Sequence, residues 1–208
     1  IMGRGRGCAA TWNTPVEGKC SELSTDFIPQ YEFPGVSAAL KGFDKFYFSM
    51  RFLSIASKKE QIIERLNTLA SSYEHWIEEK LVSDPKMSDL AFASEIGGNV
   101  IAKCREALGR ISAGINLLAT NDLAFDAFCF MNRAMILQRN IMNYSKKHGA
   151  GIECSFQDFV DPRNPQNDFG WRPFQIAFIL MNLSAMVDPH HADRNIVDLL
   201  YFPTGGGK

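Results

Sequence analysis

The sequence lacks a long apolar run, a cysteine pair spaced C-x-x-C and any large excess of charge of one sign. No stretch reaches the roughly 18 apolar residues of a membrane-spanning helix, and the first residues lack the apolar core of a signal peptide. The five cysteines are odd in number and scattered, which argues against a zinc ribbon and a secreted disulfide framework. We therefore expect reduced thiols in a cytoplasmic protein without a membrane segment.

The net charge of −1 gives no overall basic field that would attract a nucleic acid. Contacts with DNA would have to come from local patches or from other parts of the protein. The 208 residues, 46% of them apolar, suit one or two globular domains with a substantial core. Because the chain starts with Ile and ends with Lys after three glycines, we expect both ends to be cuts in a longer protein.

Apolar residues recur every three or four positions in three stretches, which begin near residues 57, 88 and 122. The stretches end at Ser-Asp-Pro (83–85), at Thr-Asn-Asp (120–122) and at cations followed by glycine (146–149). This pattern predicts three long helices packed as a bundle, with a coiled coil as the alternative. Because the stripes look self-complementary, we expect residues 46–148 to fold alone as an α-helical accessory domain.

The remaining residues divide into three further segments. Residues 1–45 carry recurring Gly and Pro and are expected to be irregular and extended. Residues 149–170 are polar and turn-rich, as is typical of a linker. In 171–208, a helix begins at Trp-Arg-Pro and an apolar run at 196–202 fits a buried parallel strand. The sequence thus predicts a mainly α chain, in which a bundle-like region is followed by the first helix and strand of an α/β domain.

A glycine-rich turn follows the predicted strand directly. The turn is Pro203-Thr204-Gly205-Gly206-Gly207-Lys208. A buried strand that leads into such a turn is the context of an ATP-binding P-loop, in which glycine backbone N–H groups form a nest for phosphate oxygens. Thr204 would shape the loop, and Lys208 would reach the β- and γ-phosphates. The hydroxyl that would hold Mg²⁺ lies beyond Lys208, and Phe202 replaces the usual first glycine; a flexible Gly-rich tail is the alternative.

Two features resemble superfamily 2 helicases and translocases, many of which relax that first glycine and carry Pro-Thr-Gly-x-Gly-Lys-Thr. The second feature, Trp171-Arg172-Pro173-Phe174-Gln175, is similar to the Arg-Pro-Tyr-Gln segment upstream of their P-loop. In that superfamily the glutamine amide reads adenine, since it can both donate and accept a hydrogen bond. The resemblance implies that Arg172 and Gln175 bind ATP together with residues 204–208, at the start of a truncated RecA-like domain.

Segments along the whole chain look more specifically like the helicase subunit of DISARM phage-defence systems. They are Cys8-Ala9-Ala10-Thr11-Trp12-Asn13, Tyr31-Glu32-Phe33-Pro34, Trp76-Ile77, Trp171 to Gln175 and Val197 to Lys208. The resemblance implies a bacterial ATP-dependent helicase that acts on DNA with defence-system partner proteins. Its Walker B box and arginine finger would lie outside this chain, so this fragment alone is expected to be inactive. Another P-loop NTPase, or a non-enzymatic helical interaction module with a Gly-rich tail, remains an alternative.

His190 and His191 stand between Asp188 and Asp193, a combination that can bind a metal ion. Adjacent histidines on a loop are more often solvent-exposed, so no metal ligand is expected in this chain.

Overall fold

The computed structural model describes residues 8–12, 19, 21–27, 40, 42–83, 91–161 and 163–198. The chain divides into two compact units, Ile1–Val36 and Ser37–Lys208. In the first unit, strand β1 (Cys8–Trp12) pairs antiparallel with strand β2 (Leu23–Phe27), with Trp12 opposite Leu23. The extended pieces predicted near the start of the chain therefore include a hairpin.

The second unit is helical, which confirms the prediction of a mainly α chain. Its six α-helices in the described residues are α1 (Met50–Leu53), α2 (Lys59–Trp76), α3 (Ala91–Thr120), α4 (Asp122–Gly149), α5 (Phe156–Val160) and α6 (Pro173–Val187). A π-helical segment (Ile77–Val82) continues α2. No helix in the described part of the chain is long and apolar enough to cross a membrane.

The boundary between α3 and α4 follows from local chemistry. Asn121 has an extended backbone, and its side-chain oxygen accepts a hydrogen bond from the Ala124 N–H at 3.0 Å. This satisfies one of the N–H groups that a helix start leaves unpaired. Three basic residues, Lys146, Lys147 and His148, lie in the last turn of α4, where the helix dipole favours positive charge.

Helices α2, α3, α4 and α6 share one hydrophobic core. Its most deeply buried side chains include Ile62 and Leu66 of α2, Leu118 of α3, Phe128 of α4, and Ile176 and Leu180 of α6. Full burial of one such side chain contributes about 1.5–3 kcal/mol. Helix α6 is therefore part of the same core as the three helices predicted as a bundle.

Residues 149–170, predicted to be a linker, are hydrogen-bonded to the helical core. The Asp168 carboxylate accepts from the Ser49 hydroxyl at 2.6 Å and from the Arg51 N–H at 3.1 Å. The Phe169 carbonyl accepts from the Met50 N–H at 2.7 Å, and Asn140 of α4 donates to the Asn167 carbonyl. The polar composition of this segment thus reflects internal pairing as well as solvation, while the division into domains stays a prediction.

The strand predicted at 196–202 is described only at residues 196–198, and these do not lie in a strand. Ile196 is 40% exposed and Val197 is 95% exposed. A parallel strand becomes buried only when neighbouring strands pair with it, and among the described residues no strand lies beside this segment. The apolar, β-branched composition indicated a strand, but composition does not show whether neighbouring strands are present to pair with it.

Candidate functional site

The sequence predicted that Arg172 and Gln175 bind ATP, and both lie at the start of α6. The Gln175 side-chain oxygen accepts a hydrogen bond from the Arg172 backbone N–H at 3.0 Å. Pro173 occupies the first helical position. Gln175 therefore reaches back to the residue that precedes the helix, as the third residue of a capping box does.

The predicted phosphate-binding residues Thr204, Gly205, Gly206, Gly207 and Lys208 lie outside the described residues. Their roles, like those of Arg172 and Gln175, remain predictions.

A cavity of about 540 Å³ lies beside the start of α6, between α2, α3 and α6. Most of its lining is apolar or aromatic: Leu40, Leu69, Ser72, Tyr73, Trp76, Ala107, Ile111, Pro173, Phe174, Ala177, Phe178, Met181 and Asp198. Phe174 adjoins Gln175 in the sequence, and Asp198 precedes Lys208 by ten residues. The cavity is thus lined by Phe174, which lies within one predicted ATP-binding motif, and by Asp198, which lies five residues before the other.

Tyr73 and Trp76 form an aromatic wall of this cavity. Their rings stack with centroids 5.9 Å apart and planes 13° apart. Burial, and after it a hydrogen bond with Cys104, raises the pKa of the Tyr73 phenol above its usual range. Helical spacing had indicated ordinary core positions for both residues, and that spacing alone gives no sign of a cavity.

Asp198, which lines the cavity, is paired with Arg110 of α3. Its two terminal nitrogens donate to the two oxygens of the Asp198 carboxylate at 2.8 and 2.7 Å. Its Nε lies 3.0 Å from the Asp193 carboxylate. The side chain of Arg110 is 11% exposed, and those of Asp193 and Asp198 are 18% and 21% exposed. One guanidinium is therefore hydrogen-bonded to Asp198 and forms an ion pair with Asp193, although its buried Nε has no hydrogen-bond acceptor in suitable geometry.

The pairing keeps these groups ionised. The hydrogen bond from Arg110 lowers the pKa of Asp198 despite the opposing effect of burial. The hydrogen bond to Asp198 likewise raises the pKa of Arg110. This contact could not be predicted from the sequence, because Arg110 and Asp198 are 88 positions apart and no local pattern connects them.

Asp193, which the sequence placed beside two histidines, thus faces Arg110. The His191 Nδ1 accepts a hydrogen bond from the Asp193 backbone N–H at 3.2 Å. Within the described residues, no three His, Cys, Asp or Glu side chains are grouped so that they could hold a metal ion.

Comparison with known proteins finds a relative that matches this helical chain along its whole length. No family model matches the sequence. The DISARM protein DrmA of Bacillus paralicheniformis is 38% identical over 216 residues, an alignment that covers 100% of this chain and 18% of the relative. The chain is therefore homologous to DrmA, and the resemblance to a DISARM protein seen in the sequence is confirmed. It spans about a fifth of that relative's length.

Proposed function

We propose that the protein containing this chain is an ATP-dependent DNA helicase or translocase of superfamily 2 that acts in bacterial antiviral defence in the cytoplasm. The observation that carries the proposal is the homology to DrmA along the whole chain. In this proposal the chain supplies the adenine-reading residues and the phosphate-binding loop, while other parts of the protein complete the ATPase and contact DNA and the partner proteins.

Each predicted residue has a defined task in ATP binding. Lys208 neutralises charge on the β- and γ-phosphates, and the backbone N–H groups of Gly205 to Gly207 bind phosphate oxygens. Thr204 shapes the loop, while Gln175 and Arg172 lie at the adenine side of the site. Mg²⁺ would be held by a hydroxyl beyond Lys208, so we expect this chain by itself not to hydrolyse ATP.

The geometry at the start of α6 supports this proposal. Phe174 and Asp198 line one cavity, so Asp198, ten residues before Lys208 in the sequence, lies near the residue that precedes Gln175. An ATP molecule contacted by both motifs requires such proximity, because the adenine and the terminal phosphates belong to one ligand.

The test is DNA-stimulated ATP hydrolysis by the full-length protein. Lys208→Ala should lower the stimulated rate by about 100-fold or more, as is typical when one electrostatic stabiliser of a transition state is lost. Lys103→Ala is the matched control, since Lys103 is 79% exposed and pairs with Glu106 on the same turn of α3. Equal rates for the two variants would contradict the assignment of Lys208.

A further inference from the structure

Helix α3 is connected to the segment between α6 and the glycine-rich loop through the side chain of Arg110. This segment begins after Val187 and includes Asp193 and Asp198, both paired with Arg110. Within the described residues its other side-chain hydrogen bonds are local: Arg194 donates to the Ala185 carbonyl at 2.7 Å, the Asp188 carboxylate accepts from the His190 N–H, and the His191 Nδ1 accepts from the Asp193 N–H. Among the side-chain hydrogen bonds and ion pairs of described residues 188–198, those of Arg110 link this segment to a helix distant in sequence.

The two hydrogen bonds between Arg110 and Asp198 fix the orientation of the carboxylate as well as its distance from the guanidinium. A guanidinium that donates two parallel hydrogen bonds to one carboxylate holds both groups in a common plane. A lysine ammonium in the same place would attract Asp198 but would not orient it. The backbone at residue 198 is thus held in a defined position relative to α3.

Stability alone gives a poor account of this arrangement. Partly buried ion pairs often contribute no more than well-packed apolar residues would, because both charges lose water. Here one cation also faces two carboxylates, so the cluster keeps a negative charge. Without Arg110, Asp193 and Asp198 would repel each other beside an apolar cavity, and the segment would move toward solvent. What the contact contributes is therefore the placement of the segment.

We propose that Arg110 is a positioning residue for the ATP site: it holds the segment that leads into the phosphate-binding loop against α3. The inference rests on the proposed function. Asp198 precedes Lys208 by ten residues in the sequence, and the proposal is that the position of residue 198 constrains where the loop can lie. The helical region thereby sets the affinity of the protein for ATP.

The experiment measures KM and kcat for ATP in the full-length protein with saturating DNA. Arg110→Ala should raise KM and lower kcat/KM by about 10-fold or more, because small misplacements of binding groups have effects of this size. Arg110→Lys should recover part of the loss, since it restores the charge without the two parallel bonds. Arg105→Ala is the control on the same helix; its ion pair with Glu78 at 2.8 Å is exposed, and its KM should equal that of the wild type.

A purely structural role would give a different result. Loss of folded enzyme lowers the apparent kcat and the melting temperature but leaves KM unchanged, and that outcome for Arg110→Ala would overturn the proposal. If Arg110→Ala fails to fold, Asp198→Asn removes one charge and keeps an acceptor oxygen, and it should still raise KM about threefold, the effect of one weakened hydrogen bond. An unchanged KM in Asp198→Asn would equally overturn it.

Lys208→Ala, measured in parallel, separates this inference from the proposed function. If Lys208→Ala abolishes hydrolysis and Arg110→Ala leaves KM unchanged, only the positioning role fails. If Lys208→Ala keeps the wild-type rate, the assignment of the ATP site itself fails.

Discussion

Gln175 illustrates how one side chain can serve both the fold and the proposed site. Its oxygen accepts the Arg172 N–H at the start of α6, which stabilises the helix. Adenine reading, as proposed, would in addition use the donor capacity of the amide. The two roles can be separated experimentally, because adenine reading needs the N–H groups of the Gln175 side chain and helix capping does not.

Gln175→Glu should keep the helix start and impair adenine recognition. Glutamate still offers an oxygen to the Arg172 N–H but cannot donate a hydrogen bond to the base. We expect KM for ATP to rise roughly 3- to 10-fold, the effect of losing about one net hydrogen bond. The preference for ATP over GTP should fall as well.

Steady-state hydrolysis of both nucleotides by the full-length protein tests this prediction, with a thermal melt as a check on folding. An unchanged ratio of ATP to GTP turnover would show that Gln175 is only a helix cap.

At the residue scale, the sequence identified local motifs and missed the long-range contact. The helix start at Trp171 to Gln175 could be predicted because its signals occupy five consecutive positions, while the role of Arg172 and Gln175 in ATP binding stays a prediction. Arg110 was missed because its partner Asp198 becomes adjacent only when α3 and the segment after α6 come together. A single sequence shows motifs of consecutive residues, but it does not show which distant residues come into contact in the fold.

At the scale of elements, the packing of α3 against α6 depends on a glycine. A Cβ atom at Gly114 would collide with the backbone carbonyl of Leu180 in α6. Gly109, also in α3, has open space around it. These two positions on one helix separate the effect of close packing from that of helix propensity.

Gly114→Ala should destabilise the chain by about 1–3 kcal/mol, because forcing atoms into a packed contact outweighs the better helix propensity of alanine. Gly109→Ala should stabilise it by up to about 1 kcal/mol, since only propensity changes there. Urea denaturation of the 208-residue chain measures both free energies of unfolding. If both substitutions stabilised the chain, the close approach of α3 and α6 would be contradicted.

Helical periodicity predicted the long helices well, since α2, α3 and α4 lie where the apolar stripes indicated. Periodicity could not show that α6 joins their core, because a stripe reveals which face is buried and not which partner buries it. For the same reason, the polar segment 149–170 looked like a linker, although Asp168 and Asn167 pair with groups of the helical core.

At the scale of the whole molecule, the buried positions of Ile176 and Leu180 change one expectation from the sequence. Both side chains are 0% exposed and belong to the core of the three long helices. A polypeptide of residues 46–148 would expose the surfaces that α6 covers. We therefore expect it to melt without a cooperative transition, contrary to what the self-complementary stripes suggested.

A polypeptide of residues 40–198, which retains α6 and the Arg110 contacts, should melt cooperatively. Circular dichroism of the two polypeptides during heating compares them directly. A cooperative melt of residues 46–148 at the same temperature as the longer polypeptide would contradict the contribution of α6 to the core.

The central claim concerns the whole protein that contains this chain. The chain itself aligns with about a fifth of the length of DrmA. The most direct measurement is ATP hydrolysis by the full-length protein with and without DNA, for the wild type and for Lys208→Ala. The account predicts hydrolysis that DNA stimulates in the wild type and that is almost absent in the variant. Wild-type rates in Lys208→Ala, at every DNA concentration, would contradict it.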